Sequence, residues 1–266
     1  MIKNLLPLIP KHKIYVEPFC GGASLFFAKP EVKVTNQNGY REVLNDTSKD
    51  LIHLYYIAQA YPEKFLAYLD RFPYSEYWYS YFKKNKNCKH PIRRAVGVYF
   101  RIMNSFANKM DDSFSFGKRG ANRPIQQVTH RKRLPEIVQR LQGVQLFCRD
   151  ALSVIERFDH EHSFFYCDPP YPNTSQGSYK GYTQQHFEKL LAVLSNCKGS
   201  FMLSCYENEA VPKDWERFEF DAVCSASSSS NSQKRKEIVW RKLNKTQPIQ
   251  LPLFQPSVVQ KYEDVA

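Results

Sequence analysis

The strongest constraint on the fold is one short run. Phe164-Phe165-Tyr166-Cys167 is apolar throughout and leads directly into Asp168-Pro169-Pro170-Tyr171. A buried strand that stops there presents a carboxylate, bare carbonyls and an aromatic face at its carboxyl end, the edge where open α/β sheets bind ligands. Two successive prolines stiffen the loop and contribute no backbone N–H. Each part suits an amino group on a flat ring. Asp168 can accept one N–H, the Pro169 carbonyl can accept another, and Tyr171 can stack on the ring. Asp-Pro and Pro-Pro are also common turn dipeptides, so the tetrapeptide takes its meaning from its setting.

That setting is an alternation of strand and helix signals. Ile14 to Phe19 reads as a short buried strand, Cys20-Gly21-Gly22-Ala23-Ser24 as a glycine turn, and Leu25 as the start of a helix. Val43-Leu44-Asn45-Asp46 is a second strand end. Thr47 or Ser48 can cap the helix through Leu51, Ile52, Leu54, Tyr55 and Ile57. Val144 to Cys148 is a strand, Ala151 to Phe158 a helix, and Phe164 to Cys167 the strand before Asp168. Thr183 to Asn196 is a helix with apolar residues at Phe187, Leu190, Leu191 and Leu194. Ser200 to Ser204 is another strand, and Glu216 to Phe220 with Glu237 to Trp240 form a closing pair. Strands alternating with helices indicate an α/β fold with a mostly parallel sheet.

Residues 62–142 interrupt this rhythm. They read as mainly helical and rich in Tyr and Phe, with an exposed loop or hairpin from Met110 to Pro124. The expected organisation is a core formed by 1–61 and 143–242, a helical insertion at 62–142, and a Gln/Pro-rich disordered tail at 243–266.

Charge singles out the same insertion. Of a net +12, residues 83–149 carry +13, from sixteen Lys or Arg against three acids. One basic segment on a near-neutral body is the footprint of a polyanion partner. Nucleic acid fits better than an acidic membrane surface, because no long amphipathic helix with a clean apolar stripe accompanies the charge. No apolar run is long enough to cross a bilayer, and the start is too short and interrupted for a signal peptide. The seven cysteines are scattered and form no C-x-x-C pair. They point to free thiols in a reducing cytoplasm and argue against zinc.

A second motif, Glu17-Pro18-Phe19-Cys20-Gly21-Gly22, follows a strand and allows a ligand close to the backbone. It lacks the Gly-Lys-Ser/Thr of a phosphate loop and the G-x-G-x-x-G dinucleotide fingerprint. Asp46 ends the next strand, 25 residues beyond Gly21, where an acid can hold a ribose diol. Asp46 is equally placed to cap a helix. Asp150 follows the strand ending at Cys148. It can receive an adenine amino group at Asp150-Ala151 or serve as the N-cap of the helix after it.

With these residues in order, the sequence resembles the Dam-type, α-class DNA adenine-N6 methyltransferases, which use S-adenosylmethionine. The family order is glycine motif, recognition region, then Asp-Pro-Pro-Tyr. This chain follows it from about Ile14 to Trp240, with Val43 to Asp46, Arg149-Asp150-Ala151 and Arg235 to Trp240 also matching.

The resemblance implies a Rossmann-like doubly wound sheet with a helical DNA-recognition insertion. It implies that Asp46 binds the cofactor ribose, and that Phe19, Gly21 and Gly22 shape the methionine pocket. Asp150 and Asp168 would complete the cofactor side. Asp168, Pro169, Pro170 and Tyr171 would hold the target adenine. Hydrogen bonds to Asp168 and the Pro169 carbonyl would orient the amino nitrogen for in-line transfer, with positioning as the main contribution and no metal required. The base must first leave the duplex stack.

Basic residues of the insertion would mostly contact phosphates: Arg93, Arg94, Lys118, Arg131, Lys132 and Arg133. Arg119, Asn122 and Arg123 in the glycine-flanked loop, and Asn104 on the preceding helix, are candidate base readers. Lys234 and Arg235, after the serine run, would form a second phosphate-contacting loop, and Tyr179 and Tyr182 would close over the site. Gln250-Leu251-Pro252-Leu253-Phe254 is similar to peptides that bind the bacterial sliding clamp. A cytoplasmic, nucleoid-associated protein is expected.

The chain departs from the family twice. The usual opening segment with Lys and Gly-Gly has only Lys3 as a counterpart. This leaves either a start placed too far downstream or a weakened cofactor site. Ala23 stands where many members have a second spaced glycine, and alanine is tolerated there if its φ is negative. The competing activities are methylation of cytosine N4 or of RNA amino groups, and DNA binding by a weakened relative.

Overall fold

The computed structural model describes residues 1–32, 39–105, 112–115, 122–171, 181–222 and 235–244. Its strands are β1 (Ile14–Glu17), β2 (Arg41–Asn45), β3 (Gln145–Phe147), β4 (Ser163–Cys167), β5 (Ser200–Cys205), β6 (Glu216–Ala222) and β7 (Arg235–Lys242). Its helices are α1 (Ile2–Leu5), α2 (Ser24–Ala28), α3 (Lys49–Ala60), α4 (Pro62–Leu69), α5 (Glu76–Lys84), α6 (Pro91–Met103), α7 (Arg123–Arg140), α8 (Ala151–Phe158) and α9 (Gln184–Asn196).

The strands form one sheet in the order β3-β2-β1-β4-β5-β7-β6. β1 to β5 are parallel, and β7 runs against both β5 and β6. The closing pair is therefore antiparallel, with Phe218 opposite Val239. β4 is buried along its whole length, as its unbroken apolar run requires of a strand covered on both faces. The chain moves one way from β1 to β2 and the other way from β4 to β5. The order thus reverses between β1 and β4, where Val16 pairs with Phe165. A crevice outside the carboxyl ends of strands at such a reversal is the usual ligand site of open α/β sheets.

Two helices seal part of this sheet. Val154 and Ile155 of α8, and Phe187, Leu190, Leu191 and Leu194 of α9, join Val16, Phe165, Cys167, Phe201 and Leu203 in one buried cluster. The α9 spacing is the one legible in the sequence. Burying one such side chain contributes about 1.5–3 kcal/mol, so four on one face hold the helix firmly. Thr183 and His186 cap α9 reciprocally, each side chain taking the other's backbone N–H.

The chain divides into two compact units, Met1–Thr47 with Gly143–Ala266, and Ser48–Gln142. The second contains α3 to α7, so α3 groups with the helices after it. Its core is aromatic, with Phe72 against Trp78 and Phe82 at 4.7 and 5.0 Å, and Phe82 against Phe100 at 5.4 Å. Fully buried Arg101 and partly exposed Arg94 converge on Asp50 within this unit. Among the described residues no helix is long and apolar enough to cross a membrane.

Candidate active site

The first side of the site is the turn after β1. Cys20 N–H donates to the Asn45 carbonyl (2.8 Å), and Ala23 N–H to the Cys20 carbonyl (2.6 Å). Gly21 takes φ 45° and donates its N–H to Asp46 Oδ2 at 3.0 Å. The buried Asp46 carboxylate at the end of β2 therefore fixes the glycine turn directly. Ala23 does not meet the condition of a negative φ. It sits in the left-handed region at φ 50°, ψ 38°. The chain turns from β1 into α2 within a few residues, and this tight reversal imposes the conformation. Left-handed backbone costs an L-residue about 1–2 kcal/mol.

Two residues hold this turn in ways the sequence reading missed. Asn45 is fully buried. Its Nδ2 donates to the Pro18 and Arg149 carbonyls (2.8 and 3.1 Å), and its Oδ1 accepts the Arg149 N–H (2.9 Å). One amide thus ties together the loops after β1, β2 and β3. An amide directly after the apolar pair Val43-Leu44, at the strand's carboxyl end, was the available signal. Glu17 is also buried, and its Oε1 accepts the Tyr15 hydroxyl (2.6 Å) and the Phe26 N–H (2.8 Å). Burial pushes its carboxyl up to about 8, with the Asp168 charge adding. The two hydrogen bonds and Lys29 oppose the rise.

The second side is the loop after β4. The Tyr171 hydroxyl lies 3.5 Å from Asp168 Oδ1, to which it can donate, and 3.4 Å from Ser204 Oγ on β5. Its ring packs on Tyr206 with centroids 4.3 Å apart. Burial by surrounding protein pushes the Asp168 carboxyl up to about 7. Glu237 adds to the rise and the Tyr171 hydroxyl opposes it. The Asp168 side chain is nonetheless exposed. Solvent moderates the rise.

A cavity of about 280 Å³ opens between these loops. Phe19, Asp46, Asp150, Asp168 and Pro170 line it, joined by Tyr182 and His186 from the start of α9. Asp150 also caps α8, its Oδ1 accepting the Leu152 and Ser153 N–H groups (3.0 and 3.2 Å), as the capping reading expects. Gly21, Gly22, Pro169, Tyr171 and Lys3 are not among the lining residues. Carboxylates from three separate loops give the cavity a negative lining, suited to a ligand with a cationic centre and several N–H or O–H donors.

The helical unit places the basic candidates in different environments. Arg94 is committed to Asp50 through two nitrogens (3.1 and 2.6 Å). Arg93 lies 5.2 Å over the Tyr81 ring. Arg131 donates to the Phe72 carbonyl. Lys132 is exposed on α7, and Arg123 and Arg133 are partly exposed. Asn122 is the exposed N-cap of α7, accepting the Ile125 N–H at 3.2 Å.

Asn104 must be corrected. It is fully buried, its Nδ2 donates to the Phe100 carbonyl (2.8 Å), and its Oδ1 accepts from Gln127 (3.2 Å). An amide engaged that way at the end of α6 holds the helical core and cannot read a base edge. Lys118, Arg119, Tyr179, Lys234, the Arg235 side chain and the segment Gln250 to Phe254 lie outside the described residues.

Comparison with curated proteins finds no match. Comparison with protein families matches residues 1–225 to a model described as D12 class N6 adenine-specific DNA methyltransferase.

Proposed function

Because the chain belongs to the D12 class of N6 adenine-specific DNA methyltransferases, we propose that the cavity beyond β1 and β4 holds S-adenosylmethionine and that Asp168 and the Pro169 carbonyl receive the target adenine. Methylation of adenine N6 in DNA is the family's activity, and it is the activity of this chain. The observation that carries the site assignment is the convergence of Asp46, Asp150 and Asp168 on one cavity at the sheet's reversal point.

The residues present fit that cofactor. Asp46 ends β2 where a carboxylate can accept ribose hydroxyls. Asp150 keeps acceptor capacity beyond its capping bonds and suits an adenine amino group. Phe19 supplies an apolar wall. When bound, S-adenosylmethionine supplies a methyl group activated by a sulfonium. Everything else is positioning. Asp168 accepts one N–H of the target amino group and the Pro169 carbonyl accepts the other, which aims the nitrogen's lone pair. The raised proton affinity of Asp168 also suits it to take the proton that the nitrogen sheds. Tyr171 presents an aromatic face to a base extruded from the duplex.

The sheet unit then serves the cofactor, and the helical unit serves DNA. Arg93, Lys132 and Arg133 are the phosphate contacts this reading favours, Arg123 and Asn122 stay its base-reading candidates, and Arg94 acts through its ion pair with Asp50. Gln250 to Phe254 is proposed as a clamp-binding peptide on sequence grounds alone, in a cytoplasmic protein acting at the nucleoid.

Labelled S-adenosylmethionine, duplex DNA and nucleoside analysis test this reading. N6-methyladenine is the expected product. Asp168→Ala should abolish it while leaving salt-dependent DNA binding intact. Labelled N4-methylcytosine, or retained transfer in the variant, would refute the assignment.

A further inference from the structure

Helix α7 carries an apolar pair on the side turned to solvent. Ile125 is 61% exposed and Val128 is 54% exposed. Among the described residues of the helical unit, the other large apolar side chains so exposed are Tyr56, Tyr61 and Tyr77, each with a hydroxyl to solvate. Ile125 and Val128 are one turn apart and lie one above the other on the same helix face. Thr129 and Lys132, each one turn further along, continue that face and are exposed. The opposite face holds the helix in its unit through buried Gln127, Leu134 and Val138. Gln127 donates to Asn104 (3.2 Å), so a buried hydrogen bond as well as packing fixes the orientation of α7.

A single exposed aliphatic side chain needs no explanation, since much of any protein surface is apolar. Two adjacent ones here sit on a cationic helix. α7 carries five Lys or Arg against one acid, Glu136, and its first two turns hold no acid. Lys132 is exposed on the same face as the apolar pair, and Arg133 is partly exposed at its flank. The helix N-terminus, whose dipole is positive, adds to this field. An apolar pair framed by cations suits a partner that is anionic yet offers apolar groups.

Duplex DNA is such a partner. Its phosphates supply the charge, and its major groove is wide enough to admit an α-helix. The apolar group displayed there is the C5-methyl of thymine, against which aliphatic side chains pack. The minor groove displays no such group. Recognition helices meet base edges with their N-terminal residues. Ile125 and Val128 stand at that end of α7, next to Asn122 and Arg123. A second copy of this chain fits less well. Facing α7 helices would bring Lys132 and Arg133 against their own kind, and two aliphatic side chains fall far short of the roughly 800 Å² per partner in a stable interface.

We propose that α7 is a recognition helix whose first two turns enter the major groove, with Ile125 and Val128 packed on thymine methyl groups. Basic residues beside the groove fix the register, and the apolar pair adds sequence discrimination that phosphate contacts cannot supply. This rests on the family's activity on DNA and is independent of which residues hold the cofactor.

The test measures transfer of labelled methyl from S-adenosylmethionine to two long duplexes of identical mixed sequence, one with thymine and one with uracil at every thymine position. Uracil pairs as thymine does and lacks only the methyl. Wild-type kcat/KM should fall on uracil DNA by about fourfold for each methyl contacted. The double variant Ile125→Ala with Val128→Ala should fall comparably on thymine DNA and should no longer distinguish the two duplexes. Both positions are exposed and alanine favours helix, so its urea midpoint should be no lower than that of wild type.

Equal wild-type rates on both duplexes would overturn the proposal. So would a double variant with wild-type activity on thymine DNA, or one that loses as much as wild type when uracil replaces thymine. A wild type that dimerises in sedimentation while the double variant stays monomeric would identify this face as a subunit interface and overturn it too. Transfer without discrimination removes this proposal alone. Absence of transfer by the wild type to either duplex would remove the activity on DNA and this proposal with it.

Discussion

Glu17→Gln removes the charge of a buried carboxyl and keeps its acceptor oxygen. Glu17 is 1% exposed and its Oε1 takes the Tyr15 hydroxyl and the Phe26 N–H. Burial raises its carboxyl from an ordinary 4.5 to about 8. An acid whose folded pKa lies above its unfolded one binds its proton more tightly in the native state. Its contribution to stability is fully present below pH 4.5, declines above that, and is gone once the pH passes about 8. Between about pH 5 and about pH 7.5 the decline works out to about 3 kcal/mol.

Glutamine keeps the acceptor oxygen and does not titrate. The variant's stability relative to wild type should therefore improve by about 3 kcal/mol across that window. Urea unfolding at several pH values measures it. Trp215 and Trp240 lie in the same unit as Glu17, so their fluorescence follows the relevant transition once Trp78 of the helical unit is replaced by Phe in both proteins. A wild-type-to-variant offset that stays constant from pH 5 to pH 7.5 would refute a protonated, buried Glu17.

Four further outcomes follow. Asp168 must be ionised to accept an N–H, and its carboxyl is raised. The acid limb of kcat/KM should therefore lie above the ordinary carboxylate range, with activity lost as pH falls through it; a profile flat down to about pH 5 would contradict this. Ala23→Val should lower stability by more than about 2 kcal/mol, because a β-branched residue is poorly tolerated at φ 50° in a buried site. In urea unfolding of both variants, Ala23→Gly should be close to neutral: about 1–2 kcal/mol of relieved strain opposes a lost methyl and a more flexible unfolded chain. Asp50→Asn leaves buried Arg101 without its carboxylate and should destabilise the helical unit by about 2–4 kcal/mol in urea titrations followed through Trp78; a loss below about 1 would contradict the role of the pair.

The α/β class, the mostly parallel sheet and the family were legible in the chain. Each rests on signals carried by neighbouring residues: apolar runs, the α9 spacing, and short motifs in a fixed order. Features that depend on long-range partners were less legible. Asn104 looked like a polar residue at a helix end, and only the approach of Gln127 made it internal. Arg94 looked like its exposed basic neighbours until Asp50, 44 residues away, claimed it. Ala23 looked able to keep an ordinary φ, since nothing local announces a left-handed alanine.

By itself, the sequence determined which chemical groups end each strand: Asp46 after β2, Asp150 after β3, and Asp168 with its prolines after β4. Strand ends are set by local apolar patterning, so their residues could be identified without coordinates. Only the tertiary structure decided that these carboxylates share a cavity with the ring of Tyr182, and that one buried amide, Asn45, holds three of the loops together. Those relations depend on the strand order at the β1–β4 reversal and on pairing across more than a hundred residues of chain. Burial and hydrogen-bond geometry between distant segments exist only after the sheet has formed.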